Sequence, residues 1–316
     1  MLSLKAAHIE NAAARIKRIE LVAADGGALP AFTAGAHIDL ELGNGEARSY
    51  SLLNDPAETN RYVIAVLREA EGRGGSAWIH DHLREGDVLS SPAPVNHFKL
   101  SEEGETHILI AGGIGITPIA SMAARLKTLG RNYELHYCAR SAEEAAFVSE
   151  LQAAHGERLK LIFDGGDPAR GLDVAALMGK RPSAGHAYVC GPAGLIRAVR
   201  EAGRDWPKGT VHYELFKGSE EDVALRKNDQ PFDVVLNKSG RTLHVPADRS
   251  ILDVLKAEGF KIKTLCKEGV CGTCLVGLIS GKADHRDDVL SDEEREDSLQ
   301  VCVSRAMPGE TLTLDL

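Results

Sequence analysis

The sequence predicts a multidomain chain: an antiparallel β-barrel, then an α/β domain with a parallel sheet, then a small α+β domain. Three observations carry this. The first hundred residues break into short apolar strands separated by turn residues; from Thr106 strands alternate with helices; and three of six cysteines crowd together at Cys266, Cys271 and Cys274. At 316 residues and 43% hydrophobic composition the chain is long enough for two or more packed cores.

In the first part the strands are Ala14 to Ala23, His37 to Leu42, Arg48 to Leu52, Tyr62 to Leu67 and Asp87 to Ser91, with one helix from Ser76 to Leu83. The Asn44-Gly45 pair marks a tight hairpin, and a succession of such strands suggests a small barrel over 1–103. The second part, 104–228, reads as strands at His107 to Ala111, Tyr133 to Ala139, Leu159 to Phe163, Ala187 to Cys190 and Val211 to Phe216. Helices at Pro118 to Leu129, Ala142 to Ala154, Leu172 to Met178 and Ala193 to Ala202 alternate with them. The polar stretch Lys217 to Gln230 reads as a linker. Beyond it, 229–316 holds a hairpin around Lys238-Ser239-Gly240, a helix from Ile251 to Glu258, and strands at Leu275 to Ile279, Leu299 to Val303 and Thr311 to Leu314.

The net charge of −9 and the lack of a basic excess in any third of the chain argue against nucleic-acid binding. Ile108 to Ala124 is free of charge, but its glycines and Pro118 argue against a membrane span. The first twenty residues lack a secretory pattern, so the expectation is a cytoplasmic protein.

Cys266-x4-Cys271-x2-Cys274 with Cys302 further on is the plant-type spacing for a [2Fe-2S] cluster. Thiolates suit sulfide-bridged ferric ions, and Gly269, Gly272 and Thr273 allow a tight loop whose N–H groups meet the sulfurs. Zinc modules instead pair two Cys-x2-Cys or Cys/His units, and only Cys271 and Cys274 form one here. Cys138, in an apolar strand, reads as a packing thiol, and His80 and His82 as surface residues. No Cys-x-His pair is present, so the chain is not itself a Rieske oxygenase.

Gly112-Gly113-Ile114-Gly115-Ile116-Thr117-Pro118 follows an apolar strand and opens a helix, with Thr117 expected to cap it and Pro118 to be its first residue. Such a turn admits a pyrophosphate, although close strand-to-helix packing also selects glycine. Arg48-Ser49-Tyr50-Ser51 offers a phosphate clamp, a ring face and a hydroxyl able to reach a flavin N5, and Gly74-Gly75-Ser76 opens the barrel's helix as an anion site.

These segments in this order, with Cys190-Gly191-Pro192, Val211 to Phe216 and the tail Ala283-Asp284-His285-Arg286-Asp287, resemble the phthalate dioxygenase reductase family over essentially the whole chain. The resemblance implies an FMN-binding barrel, an NAD-binding domain and a C-terminal ferredoxin-like (β-grasp) domain. It implies that Arg48, Ser49, Tyr50 and Ser51 contact the flavin, that Gly74, Gly75 and Ser76 hold its phosphate, and that Val66 and Arg68 line the same pocket. Cys190, Gly191 and Pro192 would lie beside the nicotinamide and Phe216 on the flavin face, making Ser51, Cys190 and Phe216 the residues at the reacting rings. Electrons would pass from NADH through FMN to the cluster and one at a time to a Rieske-type oxygenase component, with the reductase a monomer. A reductase for a cytochrome, quinone or ferric chelate, and a passive electron carrier, remain the alternatives. Arg140 after the second strand of the nucleotide domain favours NADPH by pattern, whereas Asp164 at the end of the next strand favours NADH by family likeness. Lys282 to Asp297 is rich in acids, which suggests attraction to a basic patch near the partner's metal centre.

Overall fold

Alternation begins earlier than the sequence analysis placed it. In the computed structural model, strand β1 runs over Leu2–Ala13, burying Leu4 and Ala6 between outward Ser3, Lys5 and His8. It turns at Ala14-Arg15 into β2 (Ile16–Ala23), Arg15 taking a left-handed φ of 77°. The expected first strand is thus the second arm of a hairpin. The structure describes residues 1–70, 74–180, 184–216, 229–264, 266–270, 272–287, 289–290 and 293–316. Gly72, Arg73, Cys271 and most of the expected linker lie outside them.

Strands β3 (His37–Glu41), β4 (Ala47–Ser51), β5 (Tyr62–Leu67) and β6 (Val88–Ser91) complete a six-stranded sheet in the order β4-β3-β6-β1-β2-β5, antiparallel throughout. The two edges meet just past β4, where Leu53 N–H donates to the Val63 carbonyl (2.9 Å) and Val63 N–H to Asn54 Oδ1 (3.0 Å), closing the barrel. Its interior holds Leu4, Ile19, Leu21, Ile38, Leu40, Leu52, Tyr62 and Ile64. Helix α1 (Gly75–His82) plugs one end through Ile79, and His80 Nε2 donates to the Val66 carbonyl at 2.9 Å.

Strands β7 (Thr106–Gly112), β8 (Asn132–Ala139), β9 (Leu159–Phe163), β10 (Gly185–Cys190) and β11 (Val211–Glu214) form a parallel sheet in the order β11-β10-β7-β8-β9. The order reverses between β7 and β10, and the crevice at the carboxyl ends of such strands is where doubly wound sheets bind nucleotides. Helices α2 (Ile116–Thr128), α3 (Val148–His155), α4 (Val174–Gly179) and α5 (Ala193–Ala202) connect the strands. Helix α3 is shorter than expected from Ala142. Tyr137 Oη accepts from Ala146 N–H (3.1 Å), pinning that segment to the core, and Phe147 is left-handed at φ 63°.

Barrel and parallel sheet belong to one contact unit, Met1–Glu214. Their shared core puts Ile16, Ala34, Ala65 and Phe98 with Leu109, Ile116, Met122 and Tyr188, across the boundary expected near Glu103.

The second unit, Leu215–Leu316, holds β12 (Phe232–Leu236), β13 (Arg241–Val245), α6 (Ile251–Ala257), β14 (Leu275–Ser280), β15 (Ala283–Asp284), β16 (Ser298–Gln300), β17 (Arg305–Ala306) and β18 (Leu312–Leu314). The sheet order is β13-β12-β18-β14-β16, with β12 and β18 parallel and β15 paired to β17. A capping box starts α6: Ser250 Oγ accepts from Asp253 N–H while Asp253 accepts from Ser250 N–H. The last strand before Cys302 ends at Gln300 rather than Val303. Val301 to Ser304 turns, Ser304 N–H donating to the Gln300 carbonyl at 3.1 Å, and this carries Cys302 inward. Among the described residues no helix is long and apolar enough to cross a membrane.

Candidate functional site

Arg48 is drawn to the start of α1. A Cβ on Gly75 would lie 2.8 Å from Arg48 Cγ and 2.9 Å from its Nε, so glycine is what lets the arginine stem cover the helix N-terminus. Gly74 stands before the helix at φ 88°, and no side chain caps the first turn. Arg48 also donates to Glu46 (2.7 Å) and to the Ala47 carbonyl (2.8 Å). Uncapped N–H groups beside a guanidinium fit a phosphate. Ser76 Oγ accepts from Glu69 N–H at 3.1 Å. Tyr50 is partly buried against the barrel core, and burial pushes its phenol far up, the Arg48 charge partly offsetting.

Three expected contacts fall elsewhere. Ser49 Oγ donates to Asp39 at the surface (2.9 Å). The Val66 side chain is in the barrel core and only its carbonyl touches α1. Arg68 is held by Asp81 through two hydrogen bonds of 2.5 and 3.0 Å.

At the crevice of the parallel sheet, Gly112 and Gly115 serve packing. A Cβ on Gly112 would lie 2.6 Å from Pro192 Cδ, and one on Gly115 would overlap the Cys190 carbonyl. Gly191 has φ 155° with its own Cβ position 2.8 Å from Gly112 Cα. Only Gly113, at φ 54°, faces open space. The packing reading of these glycines therefore holds for two of the three.

Thr117 and Pro118 are also corrected. A 3-10 turn over Gly113–Gly115 starts the winding early, so α2 begins at Ile116 with Gly115 before it. Thr117 Oγ1 donates to the Ile114 carbonyl (3.1 Å) instead of capping, and Pro118 is third in the helix, where its missing N–H still has no intrahelical role.

Arg140 and Asp164 sit side by side at the ends of β8 and β9. Asp164 N–H donates to the Ala139 carbonyl (3.1 Å), Gly165 N–H to the Arg140 carbonyl (3.0 Å), and Asp164 Oδ1 accepts from Gly166 N–H (2.7 Å). Cys138 nearby is partly buried, its thiol pushed up to about 11 by burial and by Asp164.

Cys190 is fully buried and pairs in register with Ala111 and Glu214, so burial and the Glu214 carboxylate push its thiol far up. Glu214 is the residue that sequence reasoning missed. Its carboxyl hydrogen-bonds to Ser51, itself 7% exposed at the end of β4, and Glu214 Oε2 is buried without a hydrogen-bond partner among the described residues. Burial pushes its pKa up to about 8, the Ser51 bond partly offsetting. An acid closing an apolar strand was the available signal. Phe216, two residues on, is 38% exposed and falls in the second unit.

Cys274 and Cys302 are buried and Cys266 partly so. Cys302 is pushed far up by a hydrogen bond with Cys274, by burial and by the charges of Cys274 and Cys266. Glu268 N–H donates to Cys266 Sγ at 3.3 Å, and Gly269 and Gly272 are left-handed at φ 74° and 72°. With Cys271 outside the described residues, no three described Cys, His or acidic groups are by themselves arranged to hold a metal ion. Converging thiols on a glycine loop whose N–H groups meet sulfur fit an iron–sulfur cluster.

A barrel with a phosphate cradle, a nucleotide-type sheet sharing its core, and a thiol-bearing β-grasp unit together define an electron-transferring reductase. Residues 234–307 match the model of the 2Fe-2S iron-sulfur cluster binding domain. The chain is 43% identical over 325 residues to the tert-butanol monooxygenase / tert-amyl alcohol desaturase reductase subunit of Aquincola tertiaricarbonis, covering 100% of this chain and 96% of that one. It is 43% identical over 317 residues to the phthalate dioxygenase reductase of Burkholderia cepacia, covering 100% and 97%. The solved phthalate dioxygenase reductase, a modular structure for electron transfer from pyridine nucleotides to [2Fe-2S], superposes with a TM-score of 0.77 at 42% identity, covering 100% of this chain and 98% of that one. The chain belongs to the phthalate dioxygenase reductase family. It is an oxidoreductase, the reductase component of an oxygenase system, and works with NADH, a flavin and a [2Fe-2S] cluster.

Proposed function

We propose that the protein is an NADH-specific, FMN-containing reductase that delivers single electrons to a Rieske-type oxygenase component, acting as a cytoplasmic monomer. Residues 1–103 would serve the flavin, 104–228 the nucleotide and 229–316 the cluster. One observation carries the reading: Ser51 of the barrel hydrogen-bonds to Glu214, which pairs with Cys190 at the carboxyl ends of the parallel strands, and this supports a single site shared by barrel and nucleotide crevice. Family membership supports the choice of FMN and of the Rieske acceptor. The five described cysteines are free thiols, which suits a reducing compartment.

The flavin supplies the conversion of a two-electron hydride donor into single electrons. Arg48 and the N–H groups from Gly74 to Ser76 hold its phosphate, and Tyr50 gives its ring a face. Ser51, held by its hydrogen bond to Glu214, would contact the flavin ring. Cys190, Gly191 and Pro192 would wall the nicotinamide, and Gly113 leaves room for the pyrophosphate. Anaerobic titration of the purified protein with NADH should bleach both the flavin and cluster bands. Failure of the cluster band to bleach would sink the proposed route.

Cofactor choice rests on Asp164. One carboxylate oxygen is committed to Gly166 N–H, which fixes the group beside Arg140. A carboxylate about 6 Å from a 2′-phosphate at an effective dielectric of about 20 costs roughly 3 kcal/mol, over a hundredfold in preference. Asp164→Ala should therefore raise kcat/KM for NADPH while leaving that for NADH within a few-fold. A wild type that prefers NADPH, or a variant with no gain, would remove Asp164 from this role.

A further inference from the structure

Two oppositely charged groups pack behind the loop that carries the cluster ligands. The Asp287 side chain is 0% exposed. Its Oδ1 accepts from Val289 N–H (3.2 Å) and Leu290 N–H (2.8 Å). Its Oδ2 has no hydrogen-bond partner among the described residues and faces the equally unpartnered Nδ1 of His285 at 3.8 Å. A buried carboxylate with an open oxygen is costly and calls for a reason. Arg295 donates to the Asp287 carbonyl at 2.7 Å, and its Nε is buried without a hydrogen-bond partner among the described residues.

This segment lies against both stretches of chain that bear cluster cysteines. A Cβ on Gly269, between Cys266 and Cys271, would lie 3.2 Å from Asp287 Cα, 3.3 Å from the Arg286 carbonyl and 2.7 Å from Val303 Cγ2, beside Cys302. Arg286 N–H donates to Ser304 Oγ at 3.3 Å. Asp287 is thereby held at the cluster loop by packing, and Arg295 is tied to it through the Asp287 carbonyl. Of the acids in the Lys282 to Asp297 stretch, Asp287 does not belong to a surface patch at all.

We propose that Asp287 and Arg295 are positioning residues that set the reduction potential of the cluster, Asp287 lowering it and Arg295 raising it. Reduction adds one negative charge beside the buried Cys274 and Cys302, and a fixed charge packed behind the loop is screened less than one in open solvent. The inference rests on the [2Fe-2S] reading, and iron and sulfide content reports that reading separately from the potential.

The test is a potentiometric titration of the full-length, cluster-loaded protein followed by visible absorption and EPR. Asp287→Asn keeps the acceptor for Val289 and Leu290 but removes the charge, and its midpoint should rise. Arg295→Gln should shift the midpoint down. A purely structural role would leave both midpoints at the wild-type value, and an unchanged or oppositely shifted midpoint in a variant with full iron and sulfide overturns the proposal. If Asp287→Asn does not retain the cluster, Arg295→Gln decides alone. A wild type without iron and sulfide overturns both the inference and the reading beneath it.

Discussion

Replacing Cys302 by alanine should abolish the visible absorption of the cluster while NADH-to-dye activity and bound flavin persist. Cys302 is 7% exposed and hydrogen-bonded to Cys274, so in the proposed four-thiolate site its loss would open the coordination of one iron with no spare described thiol to replace it. Ser51 and Cys190, which the proposed hydride step uses, lie in the first unit, Met1–Glu214, which contains none of the cluster cysteines. Removing one small buried side chain costs the second unit little packing, since Leu299, Val301, Leu312 and Leu314 stay in place around it. The check is iron and sulfide analysis beside dye reduction. Full retention of iron and sulfide would refute the four-cysteine assignment.

Glu214→Gln should flatten the dependence of stability on pH and slow turnover. The native carboxyl titrates at about 8 against an ordinary value of 4.5, because burial disfavours the charged form. Below pH 4.5 both native and unfolded chains hold this proton and its contribution is fully present. Between those values the unfolded chain binds fewer protons, so the wild type loses up to about 1.4 kcal/mol of stability per pH unit as pH rises. Above pH 8 both forms are ionised and the loss stops growing.

Glutamine carries no such proton, so the melting temperature of the variant should gain on the wild type from pH 5 to pH 8. Parallel curves would show that the carboxyl titrates normally. Ser51 hydrogen-bonds to the same carboxyl, and in the proposed site loss of that acid should slow NADH-to-dye turnover by about a hundredfold, the scale of a positioned acid–base group. Loss of the limb of the pH profile near 8 distinguishes this from a packing defect.

Much of the chemistry was legible before any coordinates because it is local. Cluster ligands within Cys266 to Cys274 must lie on one short loop, and their spacing alone separates an iron–sulfur set from paired zinc motifs. The strand, glycine turn and helix from His107 to Leu129 follow from apolar periodicity and backbone freedom, which are likewise properties of neighbouring residues. Where local rules misled, a contact from elsewhere had intervened. Thr117 was expected as a cap, but the early 3-10 turn at Gly113–Gly115 moved the helix start, and Tyr137 cut short the helix before Val148.

The sequence by itself determined the class of cofactors, the order of the three folding patterns and the cysteine spacing expected of a [2Fe-2S] site, since each is written in short-range spacing. Tertiary structure alone decided that Gly112 and Gly115 are there to admit Cys190, Gly191 and Pro192, that Ser49 turns away to Asp39, and that Ser51 meets Glu214. It alone decided which acids of the Lys282 to Asp297 stretch are surface charge and which, as at Asp287, are buried. The reason is the same in each case: the free energy of a carboxylate or a glycine depends on burial and on partners brought by distant strands, and neither is encoded in its immediate neighbours.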